Sequence, residues 1–119
     1  MSKHNFKQIT AWKKAKKLVP VVYKVVAEFP VDERFALTSQ IKRAVVSISS
    51  NIAEGSGRNT TNDFAHFLDI ALGSAFELES ELLVAIDLKF IDMGYLTDVF
   101  SLLSEVQKLI IGFQKTLRH

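Results

Sequence analysis

Cysteine is absent from the 119 residues. That excludes disulfides and thiolate metal sites, and it points to a reducing compartment, most simply the cytoplasm. Proline occurs twice and glycine five times, too few for linkers or a succession of tight turns. A chain so poor in both reads as a few long elements. No run of about 18 apolar residues occurs, so no segment is suited to span a bilayer. No secretory signal is visible either: residues 1–8 are polar, and the apolar stretch from Ile9 to Trp12 is too short for an h-region.

Catalytic equipment is equally sparse. Bundles that hold two metals use two Glu-x-x-His pairs and two further carboxylates. The nearest match is one Asp63-Phe-Ala-His66 segment, and the other two histidines, His4 and His119, sit near the termini. A serine nucleophile needs a base in reach, and these histidines suggest none. Gly55-Ser-Gly57 lacks the lysine and the preceding strand of a phosphate loop. The arginine–histidine pair of helical ribonucleases has no clear counterpart. The chain reads as a non-enzyme with no cofactor and no metal.

Apolar residues make up 48% of the chain and charged residues 24%, ordinary values for one globular domain. The net charge of +2 hides an uneven distribution. Residues 1–58 hold 11 Lys or Arg against 4 Asp or Glu, a balance of +7, and residues 59–119 hold 4 against 9, a balance of −5. A basic half beside an acidic half fits three arrangements: helices paired within one chain, a surface for nucleic acid, or head-to-tail association of subunits.

Apolar spacing by threes and fours predicts four helices. The first covers about 11–29, with Trp12, Ala15, Val19, Val22, Val26 and Phe29 inward, Thr10 as N-cap and a kink at Pro20. The second covers 38–54. Leu37, Ile41, Val45, Ile48 and Ile52 form its buried stripe, and Gly55 and Gly57 end it. The third, 61–90, is capped by Thr60 or Thr61 and carries the seam Phe64, Leu68, Ala71, Ala75, Leu78, Leu82 and Ala85. Its apolar surface exceeds half its circumference, and Gly73 at mid-helix suggests close backbone approach. A turn with Gly94 in the left-handed conformation leads to the fourth helix, 97–118, capped by Thr97. Short connections make successive helices antiparallel. The expected fold is all-α, an antiparallel up-down four-helix bundle in a single domain.

Two polar constellations stand out. The second helix carries Gln40, Arg43, Ser47, Asn51 and Glu54 along one stripe, a mixed set suited to directional hydrogen bonding. Arg58 follows it, and Glu77 and Glu81 on the third helix could meet Arg43. These eight residues form a structural network inside the bundle or a contact with another subunit or partner. The first helix carries Lys13, Lys14, Lys16, Lys17 and Lys24, with Lys3 and Lys7 before it. A lysine run is commonly just a solvated face. Its functional reading is phosphate contact, which needs charge and little geometry. Trp12 reads as core ahead of a stacking platform.

The sequence also resembles a known family. Trp12, Ala15, Tyr23, Phe29-Pro30, Leu37, Gln40, Arg43-Ala44, Ser47-Ile48, Asn51-Ile-Ala-Glu-Gly55, Arg58, Phe64, Phe67-Leu68, Ala71, Gly73-Ser74 and Glu77-Leu-Glu79 are similar to the four-helix bundle proteins encoded in intervening sequences of bacterial large-subunit ribosomal RNA genes. The likeness spans nearly the whole chain. It implies an up-down bundle assembled into a homopentamer. The accessory variability proteins of diversity-generating retroelements resemble the same family. They bind nucleic acid and associate with a reverse transcriptase, which by analogy is a partner type here. Two positions depart from the family pattern: Pro20, and Lys42 where a second arginine is common. The resemblance brings no catalytic residue. The expected function is a non-catalytic oligomeric scaffold that engages nucleic acid, structured RNA or an RNA–protein complex, through its basic face, with RNA or DNA as the partner class. The alternative is a protein-binding adaptor that uses the stripe of the second helix.

Overall fold

The computed structural model describes residues 4–117. Four helices form an up-down bundle: α1 (Thr10–Val26), α2 (Leu37–Ser56), α3 (Thr61–Asp87) and α4 (Thr97–Leu117). Three single 3₁₀ turns, Phe6–Gln8, Val31–Glu33 and Met93–Leu96, precede α1, α2 and α4. No strand occurs among the described residues. Each helix packs on two neighbours: α2 between α1 and α3, and α4 between α3 and α1. Lys3, Arg118 (the expected end of the fourth helix) and His119 lie outside the described residues.

The core follows the spacing of the apolar residues. All seven seam residues of α3, from Phe64 to Ala85, are buried, as are Ile41, Val45, Ile48 and Ile52 of α2. Leu103, Val106 and Ile110 of α4 and Ala15, Leu18, Val22 and Val26 of α1 close the same core. Phe29 and Phe90 stack at one end, with ring centroids 5.6 Å apart. At the other end His4 packs on Phe64 and Phe113 at 5.2 and 5.7 Å. The His4 backbone N–H also donates to the Ser56 carbonyl at 3.2 Å. The N-terminal segment is thereby pinned across the ends of α2, α3 and α4.

Helix ends differ from expectation where local hydrogen bonding decides them. α1 stops at Val26, and a turn carries Phe29 into the core. It runs through Pro20, whose ring is exposed. Thr10 is inside α1, and the flanking Ile9 gives no side-chain cap. Thr60 does cap α3, accepting from the Asp63 N–H at 3.1 Å. Thr97 lies within α4, where its hydroxyl donates back to the Gly94 carbonyl at 3.4 Å. α2 continues through Gly55 to Ser56, so Gly55 is not a cap. It is buried where α2 meets α3, and a Cβ there would come within 2.7 Å of the Phe67 Cβ. Gly94 is not left-handed either. The left-handed residue is Lys89, with φ of 63°. It closes α3 with two reversed bonds, Phe90 N–H to Ala85 carbonyl at 3.0 Å and Lys89 N–H to Ile86 carbonyl at 2.9 Å, the Schellman arrangement.

Candidate nucleic-acid interface

The helical repeat divides the α1 lysines. Lys13, Lys16 and Lys17 line a shallow groove with Trp12, Val19, Pro20 and, from α2, Val46. Lys14 lies on the side toward α4 and pairs with Glu105 at 3.6 Å. Lys24 lies beyond the far end of the groove, in a cavity shared with Glu28, Lys89 and Asp92. Three of the five lysines chosen from sequence therefore form one surface, and two face carboxylates elsewhere.

The groove continues past Val46 into a second depression lined by Tyr23, Arg34, Phe35, Ser39, Lys42, Arg43 and Ser47. Together the two depressions carry six cationic side chains and no carboxylate. Three aromatic rings lie among them, each with a cation over it. Lys16 Nζ is 5.4 Å from the Trp12 ring, Lys42 Nζ is 5.0 Å from Tyr23, and Arg34 Cζ is 5.0 Å from Phe35. Trp12 also meets Phe6 edge-on at 4.9 Å. It is half-buried, both a part of the packing and a wall of the groove. Tyr23, Arg34, Phe35 and Lys42 were not selected as site residues from sequence. Phe35 offered the usable signal, a large aromatic outside any apolar period, in a connection, beside an arginine.

The eight polar residues chosen on and around α2 and α3 separate into three parts. Gln40, Arg43, Ser47 and Glu77 line a narrow cleft between α2 and α3. Within it Ser47 and Ser74 share a hydroxyl hydrogen bond of 2.8 Å, and Asn51 Nδ2 donates to the Ser47 carbonyl and hydroxyl at 2.8 and 2.9 Å. Glu54 and Arg58 form an exposed pair at 4.0 Å, and Arg58 lies over Phe67 at 5.1 Å. Glu81 is alone. Arg43 makes no ion pair with Glu77 or Glu81 among the described residues, so the expected salt-bridge network is not closed within one chain. Glu81 is 9% exposed, and its Oε1 has no hydrogen-bond partner. Burial pushes its carboxyl up to about 7, Glu77 adds to the rise, and Arg43 opposes it.

Outward-facing α3 shows an unusual composition. Ile70, Phe76, Leu83 and Val84, with Leu88 just past the end, are exposed alongside His66, Asp69, Glu77, Ser80 and Asp87. Gly73, on the same side, has nothing within 4 Å of a Cβ position. The close approach expected at Gly73 does not occur inside the bundle. No helix among the described residues is long and apolar enough to cross a membrane. No group of three His, Cys, Asp or Glu side chains among them could hold a metal ion.

These features define a small four-helix bundle with one basic, aromatic-lined face and several apolar side chains of α3 open to solvent. The chain belongs to the 23S rRNA-intervening sequence protein family, whose model matches residues 7–112. It is similar to a crystal structure from Bacteroides thetaiotaomicron, a protein of unknown function from the S23 ribosomal protein family. The identity is 28%, the TM-score 0.78, and the match covers 89% of this chain and 99% of the other. No match was found among curated proteins.

Proposed function

We propose that the chain is a non-catalytic, self-assembling scaffold that binds nucleic acid, RNA foremost, along the α1–α2 face. The observation that carries this reading is the run of six cationic side chains in two adjoining depressions whose lining holds no carboxylate, with only Arg43 also bordering Glu77 in the neighbouring cleft. Phosphates are contacted by such runs, and neighbouring acids would cancel the field. The family is named for the 23S rRNA intervening sequence, which makes RNA the first nucleic acid to test.

Self-assembly is supported by the exposed apolar residues of α3. A monomer would leave them in water, whereas a neighbouring copy would cover them. A contact between the α3 face of one copy and a different face of the next is head-to-tail, and it closes into a ring when the rotation per subunit fits. A homopentamer is the assembly that the family likeness suggests. Repetition of one basic face around a ring would raise avidity without new contacts.

The test is RNA binding by the intact protein, measured by fluorescence anisotropy, with two sets of lysine variants. Lys13→Glu, Lys16→Glu and Lys17→Glu together should abolish binding at moderate salt. Lys14→Glu, on the side toward α4, should weaken it only a few-fold. Equal loss from both would place the interface elsewhere. Absence of binding by the unaltered protein at low salt would favour the adaptor reading, with the Gln40–Glu77 cleft as its site.

A further inference from the structure

We infer that the α1–α2 groove takes single-stranded nucleic acid, with bases stacked on Tyr23 and Phe35 and the phosphates held by Lys42, Arg34 and the α1 lysines. The inference rests on the nucleic-acid reading above and adds the form of the ligand and the residues that select it.

Two of the three aromatic rings turn a face to solvent. Phe35 is 87% exposed in the α1–α2 connection, and Tyr23 is 40% exposed on α1. They line the same depression. An exposed phenylalanine gains nothing from burial in the fold, so its apolar face remains available to a ligand. Every nucleobase offers a flat face of the right chemistry, but only when it is unpaired and out of a duplex stack. A duplex presents phosphates on its outside and would engage the lysines while leaving both rings idle.

The cations placed over the rings fit the same ligand. Lys42 and Arg34 sit about 5 Å from the ring centres, close enough for cation–π attraction in the free protein. A base arriving on the ring displaces the cation sideways, toward the phosphate that the base carries. One group thus fills the site when it is empty and neutralises the ligand when it is full. The groove also has a suitable length. From Trp12 to Tyr23 α1 advances about 16 Å, room for about four or five nucleotides at the roughly 3.4 Å spacing of a stacked strand. A second copy of this chain is the other conceivable occupant, but six cations without a carboxylate favour a polyanion.

The experiment compares a labelled 12-nucleotide single strand, as RNA and as DNA, with the same sequence annealed to its complement. Binding to the full-length protein is followed by anisotropy. Single strands of either sugar should bind at least tenfold tighter than the duplex. The double variant Tyr23→Leu, Phe35→Leu keeps all charges and should lose about tenfold or more for single strands, with duplex affinity changed less than twofold. Circular dichroism and light scattering should show fold and assembly unchanged. Phe35→Leu alone, at a side chain with little packing, gives the same direction of change if the double variant unfolds. Equal affinity for single strand and duplex, unaffected by loss of both rings, would overturn this inference and leave the nucleic-acid reading standing. Disassembly of the double variant with unchanged affinity would also overturn it, because the rings would then seat a second copy. No binding to any strand would overturn both readings.

Discussion

The Cα of Gly55 faces the Cβ of Phe67 so closely that a methyl group on Gly55 would stand 2.7 Å from it. Phe64 Cδ1 would be 2.8 Å away on the same side. The Phe67 Cβ is fixed to its backbone, so relief would require α2 and α3 to part. Gly55→Ala should therefore destabilise the protein by about 1–2 kcal/mol, an overpacking cost of about 2–3 kcal/mol less the roughly 1 kcal/mol of helix propensity gained. Gly73→Ala adds the same methyl group where a single chain has only open space and should stabilise the fold by about 1 kcal/mol. Thermal unfolding of the two variants checks the contrast.

Lys89 holds a backbone conformation that glycine adopts freely. Left-handed geometry disfavours an L side chain by about 1 kcal/mol, and the side chain is exposed. Lys89→Gly should raise the melting temperature by a few degrees. A lowered melting temperature would show that the lysine side chain stabilises the α3–α4 connection in another way.

Glu81 predicts a pH dependence with a definite sign. Its folded value of about 7 stands above the ordinary 4.5, so the folded state holds a proton that the unfolded state releases. This contribution is fully present below about pH 4.5 and is lost as pH rises to about 7, a range over which stability should fall. Glu81→Gln removes the ionisation while keeping the shape. Across pH 5–8 the unaltered protein should lose stability relative to the variant, by a few kcal/mol at most. Parallel stability curves would contradict the burial of Glu81. A neighbouring subunit that supplied a cation to Oε1 would flatten the difference in the assembled form.

The exposed apolar side chains of α3 predict the assembly. Phe76→Glu with Val84→Glu places charge on a surface that is exposed in one chain. Light scattering after size exclusion should show the unaltered protein as a cyclic oligomer, a pentamer foremost, and the double variant as a folded monomer. A stable monomer of the unaltered protein at micromolar concentration would contradict the ring.

The bundle was legible because its core repeats in threes and fours. The seam from Phe64 to Ala85 is apolar at every step, and each residue on it is buried. Features set by contact between helices were not legible. Gly55 and Gly57 both resemble helix ends, and only the position of Phe67 shows that Gly55 is a packing residue. Gly94 resembles a left-handed residue, but Lys89 takes that role because the Schellman bonds run from Lys89 and Phe90 back to Ile86 and Ala85, where the seam ends. The candidate site was half legible. A lysine run shows charge but not direction, so Lys14 and Lys24 could not be separated from Lys13, Lys16 and Lys17. Tyr23 and Lys42 are far apart in sequence and come together only through the pairing of α1 with α2.

The most direct measurement for the whole account is the salt dependence of RNA affinity for the unaltered protein, from about 50 to 200 mM salt. The α1–α2 face predicts a linear fall of log affinity with log salt. About four to six phosphate contacts would give a slope of roughly −3 to −4 at about −0.7 per contact on a single strand. Replacement of Lys13, Lys16 and Lys17 by glutamate should abolish binding over most of this range. For the unaltered protein, affinity that does not change with salt, or no binding at 50 mM, would contradict the account.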